Sequence, residues 1–159
     1  MSQSMITTCL WFDTEGEEAA EFYCSVIPDS RVLDVARYGA AGPGTPGSAM
    51  TVSFELDGKP YVALNGGPQY TFSEAISLQV SCTDQDEVDH YWATLSEGGE
   101  EGPCGWLKDR YGLSWQVVPT ALPELLGDPD PDRSQRAMKA MMSMGKIDIE
   151  AIRRAADAG

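Results

Sequence analysis

Five side chains bound the chemistry open to this sequence: four cysteines, Cys9, Cys24, Cys82 and Cys104, and one histidine, His90. A transition-metal centre needs imidazole, thiolate and carboxylate donors that converge, and one histidine with four scattered cysteines and no C-x-x-C pair supplies no such local pattern. Asp13, Glu74, Asp109 and Cys82 carry suitable donor atoms, but nothing in the sequence places them together. A catalytic thiolate needs a positive neighbourhood, and only Cys104 has basic residues nearby, Lys108 and Arg110. His90 lies between Asp89 and Tyr91, off the apolar face of its segment, and reads as a solvated side chain rather than a ligand or proton shuttle. A nucleotide-derived methyl donor is usually held where a Gly-rich turn leads from a strand into a helix, and no G-x-G opens a helix here. No catalytic residue is therefore assigned.

The elements that would position these groups come in two similar sets. Thr14 precedes Glu17 by three residues and is followed by Ala19, Phe22, Tyr23 and Val26; Thr83 precedes Asp86 and is followed by Val88, Tyr91, Trp92 and Leu95. A Thr with an acidic residue three places on caps a helix start, and the i, i+3, i+4, i+7 spacing puts four apolar side chains on one face. The two sets lie 69 positions apart, which predicts a duplicated module and a cleft. Module one (5–70) reads as a strand from Met5 to Phe12, a helix stopped by Pro28, a strand from Arg31 to Tyr38, a Gly/Pro segment at 39–47 expected to be mobile or ordered by a ligand, and strands 50–56 and 61–65 around the hairpin signal Asp57-Gly58. Module two (74–120) reads as a strand from Ala75 to Cys82, a helix from about Asp84 to Leu95, a poorly patterned stretch, and a strand from Leu113 to Val118. Matching Gly112 to Gly58 pairs Gln116 with Val62 at an offset of 54. The remainder (121–159) is a helical tail over 134–143 and 148–156, with Met138, Met141, Met142, Ile149 and Ile152 as its apolar candidates.

Bulk composition narrows the function classes. With 25 acidic residues against 11 basic ones the formal net charge is −14, and no basic stripe exists to neutralise phosphates, so nucleic acid is excluded as a partner. No apolar run approaches the roughly 20 residues that span a bilayer, which argues against a membrane partner. Without a charged segment leading into an apolar one at the N-terminus, a cytoplasmic protein with reduced thiols is expected. The 159 residues with 42% hydrophobic content suffice for one packed domain, or two small modules sharing a core.

The segments LNGGP (64–68), ISLQVSC (76–82) and CGWLKDRYGLSWQVVP (104–119), together with the tail from Ala137 to Ala155, resemble the PhnB-like, or demethylubiquinone methyltransferase-like, branch of the vicinal oxygen chelate superfamily. That superfamily includes glyoxalase I, extradiol dioxygenases and bleomycin-resistance proteins. The resemblance implies an α+β fold in which two βαβββ modules form a half-open mixed-sheet barrel, here with a C-terminal helical tail. It also implies four inward metal-ligand positions, which fall at Thr8, Ser77, Val62 and Gln116. Two hydroxyls, an aliphatic group and an amide cannot make the His/Glu set that oxygen activation or isomerisation requires, so no metal and no cofactor is expected. What remains is a pocket lined by Thr8, Val62, Ser77, Gln79 and Gln116, with aromatic cover from Trp11, Trp106 or Trp115. Strand alternation places Thr8 with Leu10, Ser77 with Gln79, and Ser114 with Gln116. These polar groups either satisfy one another or bind a small polar or aromatic ligand. Three functions follow: a small-molecule-binding homodimer, a methyltransferase of the family label, and a metal-dependent lyase or isomerase with atypical ligands.

Overall fold

The computed structural model describes residues 4–158, and the chain divides between Phe72 and Ser73 into two compact units. The first runs β1 (Thr8–Phe12), α1 (Gly16–Val26), β2 (Arg31–Arg37), β3 (Ala49–Leu56) and β4 (Lys59–Asn65). The second runs β5 (Ser77–Cys82), α2 (Gln85–Ser96), β6 (Glu100–Glu101), β7 (Trp106–Lys108) and β8 (Ser114–Pro119), followed by α3 (Ala121–Leu126), α4 (Pro131–Met142) and α5 (Ile149–Asp157). The sheet orders are β1-β4-β3-β2 and β5-β8-β7-β6, the same topology twice. In each the outer pair, β1·β4 or β5·β8, is parallel and the other pairs are antiparallel, so both sheets are mixed and neither closes on itself. The expected βαβββ repeat and α+β class are present.

In the first unit the sheet face carrying Leu10, Val52 and Ala63 is buried, and α1 covers its sheet with Ala19, Ala20 and Tyr23. Gly16 and Ala20 belong to this buried face, whereas Phe22 and Val26 are only half-buried, so the contact stripe is rotated from the expected one. Thr14 does not cap the helix. The capping position is Glu15, which makes no side-chain cap, and the Gly16 amide instead donates to Asn65 Oδ1 at 2.7 Å. A side chain at position 16 would put its Cβ 2.7 Å from that oxygen, so the close approach of α1 to β4 requires glycine there. Asn65 Nδ2 donates to the Ala49 carbonyl at 3.1 Å, which ties the start of β3 into the same point. The hairpin at Asp57-Gly58 has both φ angles positive, 52° and 73°, as a two-residue turn between twisted strands demands.

In the second unit α2 buries the expected Val88, Tyr91, Trp92 and Leu95, but its cap is Asp84, which accepts from the Glu87 amide at 2.9 Å. Thr83 instead donates both its amide and its hydroxyl to the Glu87 carboxylate. The poorly patterned stretch contains β6 and β7, strands of two and three residues that are too short to show a period. The turn from β7 to β8 is built on Asp109, whose carboxylate accepts from the Tyr111 and Leu113 amides and, at 2.8 Å, from Trp115 Nε1. The tail holds three helices, and its core is Leu122, Ala137, Ile147, Ile152 and Ala156. The methionines are peripheral: Met142 is 66% exposed and Met141 only packs against that core.

Because Asn65 bonds both the α1 amide and the β3 carbonyl from a buried position, Asn65→Ala is expected to lower unfolding free energy by about 2–3 kcal/mol, the cost of weakening two buried backbone groups' hydrogen bonding. Urea denaturation followed by circular dichroism measures this, and a midpoint unchanged from the parent protein would refute the role assigned to Asn65.

Candidate functional site

Register decides which side chains can act together. Ser77 pairs with Ser114, Gln79 with Gln116, and Trp106 with Gln116, so these five residues stand on one face of the second sheet. The opposite face carries Leu107, Trp115 and Val117, all 2% exposed or less, and belongs to the core. Gln116 Nε2 donates to Ser77 Oγ at 2.9 Å, joining two of the expected pocket residues. Ser114 Oγ, between them in the ladder, is buried without a hydrogen-bond partner among the described residues. Gln79 is exposed and Trp106 half-buried on this face. At its margin Lys108 forms an ion pair with Glu74, and that bond holds the Glu74 carboxyl below the usual range and raises the Lys108 ammonium.

The first sheet is arranged differently. Thr8 pairs with Tyr61, and Val62 pairs with Cys9, so Thr8 and Val62 point to opposite faces. Thr8 shares a face with Leu10 as alternation requires, but that is the face α1 covers, and Thr8 lies exposed at its end. The open face carries Cys9, Trp11, Thr51, Ser53, Val62 and Leu64, all half-buried except Cys9, which is exposed. The two sequence offsets, 69 for the first strands and 54 for the last, are incompatible by one residue with the observed pairings, and a one-residue slip exchanges faces. Strand alternation running back from the apolar Leu10 and Phe12 was the signal that could have selected Cys9 and Trp11 over Thr8. Trp11 is fixed in place: Nε1 donates to the Gly67 carbonyl at 2.9 Å, and the ring meets Tyr70 edge-on at 4.9 Å. Trp115 is a core residue held by Asp109 and offers no aromatic cover.

The remaining reactive types are occupied or isolated. Cys82 is fully buried, and desolvation reinforced by Glu87 and Asp84 pushes its thiol up to about 12. Burial also raises the Cys9 and Cys24 thiols. Near Cys104, Lys108 pairs with Glu74 and Arg110 with Glu97, so the expected positive neighbourhood is matched by carboxylates. His90 is exposed and rests against Tyr91. Of the four atypical metal donors, Asp109 is committed to its turn, Glu74 to Lys108, Cys82 is protonated in the core, and Asp13 lies in the other unit's β1–α1 loop. Among the described residues no three His, Cys, Asp or Glu side chains converge as a metal site. No helix among the described residues is long and apolar enough to cross a membrane.

The family model described as 3-demethylubiquinone-9 3-methyltransferase matches residues 4–118. Among solved structures, the PhnB protein of Bacillus cereus, provisionally described as a 3-demethylubiquinone-9 3-methyltransferase, is 32% identical, with 74% of this chain and 100% of that one aligned at a TM-score of 0.67. A Pseudomonas aeruginosa protein aligns over 74% of this chain and 98% of its own at a TM-score of 0.60 and 17% identity, a likeness of fold. The fosfomycin resistance protein FosX of Listeria monocytogenes, solved with Mn(II) and sulfate, aligns over 74% of this chain and 92% of its own, with a TM-score of 0.50 and 15% identity. No curated protein matches the sequence.

The thiol environment leads to a direct expectation. At pH 8 iodoacetamide should leave Cys82 unlabelled in the folded protein and modify it only after denaturation, because its thiolate fraction becomes appreciable only as the pH nears 12. Peptide mass mapping reads the difference, and labelling of Cys82 at the rate of a free thiol would contradict its placement.

Proposed function

Because this chain belongs to the family described as 3-demethylubiquinone-9 3-methyltransferase, the PhnB-like branch of the vicinal oxygen chelate superfamily, we propose that it is a small-molecule-binding protein that works without the superfamily's metal. The ligand is a small polar or aromatic molecule, and in the second unit it is received by Ser77, Gln79, Ser114 and Gln116 beside Trp106. The observation that carries this reading is the buried Ser114 hydroxyl, left without a partner next to the Gln116–Ser77 hydrogen bond. A buried hydroxyl with no bond costs about 1–3 kcal/mol, and a ligand acceptor or donor on that face removes the cost. In the first unit Val62, now beside Cys9 and Trp11 on the open face, gives apolar and aromatic surface for the same class of ligand; Thr8 stays outside that face.

The donor set does not fit a divalent metal. The Ser77 hydroxyl and the Gln116 amide are bonded to each other, Val62 has no donor, and Thr8 stands on the other face of its sheet. FosX, the related fold recorded with Mn(II), therefore lends its architecture and not its chemistry. The family label implies methyl transfer, yet the Gly/Pro segment at 39–47 joins two antiparallel strands, β2 and β3, and opens no helix toward a methyl donor. We place the protein in the cytoplasm as a homodimer, a reading supported by four free cysteines and by the edge strand β2, which exposes Val32 and Leu33.

Thermal-shift screening and calorimetry of the purified protein against aromatic and polar metabolites should find binding without turnover, and Gln116→Leu should weaken it about tenfold, the worth of one buried hydrogen bond. Micromolar binding of S-adenosylmethionine, or one tightly retained metal ion per chain by elemental analysis, would overturn the proposal.

A further inference from the structure

A second candidate site lies wholly within the first unit and uses none of the residues assigned to the ligand in the proposal above. A cavity of about 480 Å³ opens beneath the Gly/Pro segment, floored by Ala49 and Asn65 and walled by the loop from β1 to α1. Its size falls in the range of small-molecule pockets. The segment that roofs it, expected from composition to be mobile or ordered by a ligand, is tied at its ends by the chain itself: the Tyr38 amide donates to the Ser48 carbonyl at 2.9 Å, and the Gly47 amide donates back to the Tyr38 carbonyl at 2.8 Å. The Tyr38 hydroxyl donates to the Asn65 carbonyl at 2.5 Å, and the ring lies so close over Gly44 that any side chain there would overlap it. These contacts hold the roof in place over the cavity and lower the ordering cost of binding beneath it.

Its charge selects the ligand. Arg37 Nη2 donates to Glu17 at 3.2 Å and Nη1 donates to the Gly47 carbonyl at 3.3 Å, so the one cation of the wall is neutralised within it. Asp13, also on the wall, makes no hydrogen bond or ion pair among the described residues. The cavity is left with one uncompensated negative charge. An anion is disfavoured: the first amide of α1 is already bonded to Asn65, and two carboxylates, Asp13 and Glu17, face the cavity against the single guanidinium of Arg37. Two carboxylates, one of them held by Arg37, are too few for a divalent-ion cage. We propose that this cavity binds a small organic cation, a protonated amine placed against Asp13, with the Thr45 hydroxyl on the wall facing the rest of the molecule.

The test is calorimetry on the full chain with agmatine, spermidine and benzylamine, and with benzyl alcohol as the neutral counterpart of the last. At least one amine should bind, added salt should weaken it, and Asp13→Asn should cost about tenfold in affinity, the scale of a charge-assisted hydrogen bond. Asp13 is exposed and unpaired, so this substitution leaves the fold intact. Gly44→Ala, which displaces the Tyr38 ring, should weaken the same amine, whereas Gln116→Leu should leave its affinity unchanged. Absence of binding by all three amines at about 10 mM, equal affinity of Asp13→Asn, or equally tight binding of benzyl alcohol would each overturn the assignment. Loss of amine binding in Gln116→Leu would place the amine on the second sheet, supporting that site and refuting this one.

Discussion

One buried amide side chain organises the first unit. Asn65 accepts from the first amide of α1 with its oxygen, donates to the start of β3 with its nitrogen, and takes the Tyr38 hydroxyl on its own carbonyl. Helix, sheet and the Gly/Pro segment therefore meet at a single residue at the C-terminal end of β4. A helix start needs four amides satisfied, and here one is met from a strand 49 residues away in sequence rather than from a local cap. That choice forces glycine at position 16, brings α1 tight against the sheet, and leaves the wall of the cavity to side chains that the helix start does not need. The second unit solves the same problem locally, with Asp84 as its own cap. The two modules share a topology and differ in how each is held together.

The sheets differ chemically for a reason of parity. In the second unit the open face alternates Ser77, Gln79 and Ser114, Gln116, and the residues between them go to the core. In the first unit the same alternation sends Leu10 and Ala63 to the core and turns Cys9, Trp11, Val62 and Leu64 outward. The second face is therefore mainly hydroxyl and amide beside Trp106, and the first sets Cys9, Trp11, Val62 and Leu64 beside the hydroxyls of Thr51 and Ser53. A coordination sphere needs several hard donors to converge, and the one carboxylate at the margin of the second face, Glu74, is held by Lys108. Hydrogen bonding to an uncharged ligand demands less, since it requires only that donors and acceptors be preset, as the Ser77–Gln116 pair and the orphaned Ser114 are.

Much of this was legible in the sequence because it is local. The Asp57-Gly58 turn, the stop at Pro28, the buried face of α2 and the repeated element order all follow from neighbours within a few positions. What escaped depends on partners far along the chain. Thr14 has the pattern of a cap, but the α1 amide prefers a buried acceptor that only the folded sheet delivers. A three-residue strand such as β7 exists because β8 pairs with it, and its own residues carry no periodic signal. The repeat offset was right for the modules and wrong by one for β1, and because side chains alternate, that single residue moved Thr8 off the open face while leaving Ser77, Gln79 and Gln116 together. Helix periodicity also tolerates a rotated stripe, since Ala20 of α1 is buried against the sheet while the larger Phe22 stays half-buried.

The tail is held to the second unit by contacts that also set local backbone geometry. The family match ends at residue 118, so α3, α4 and α5 lie beyond it, yet they belong to the second unit's compact body. Three sets of polar contacts among the described residues attach them. The Gln85 side chain clasps the loop before α5, donating to the Ile147 carbonyl and accepting from the Ile149 amide, each at 2.9 Å. Lys146 pairs with Asp89 at 2.8 Å, and the amides of Cys104 and Gly105 donate to the carbonyls of Met144 and Gly145 at 2.8 Å. The last contact fixes Cys104 at a φ of 57°, a left-handed conformation that a non-glycine residue adopts only at a cost of about 1 kcal/mol. Two backbone hydrogen bonds to the tail offset that cost, and they keep Gly105 close enough to Ile147 that a Cβ would lie 3.2 Å from its side chain. The position of the Cys104 thiol is accordingly a product of the tail's docking.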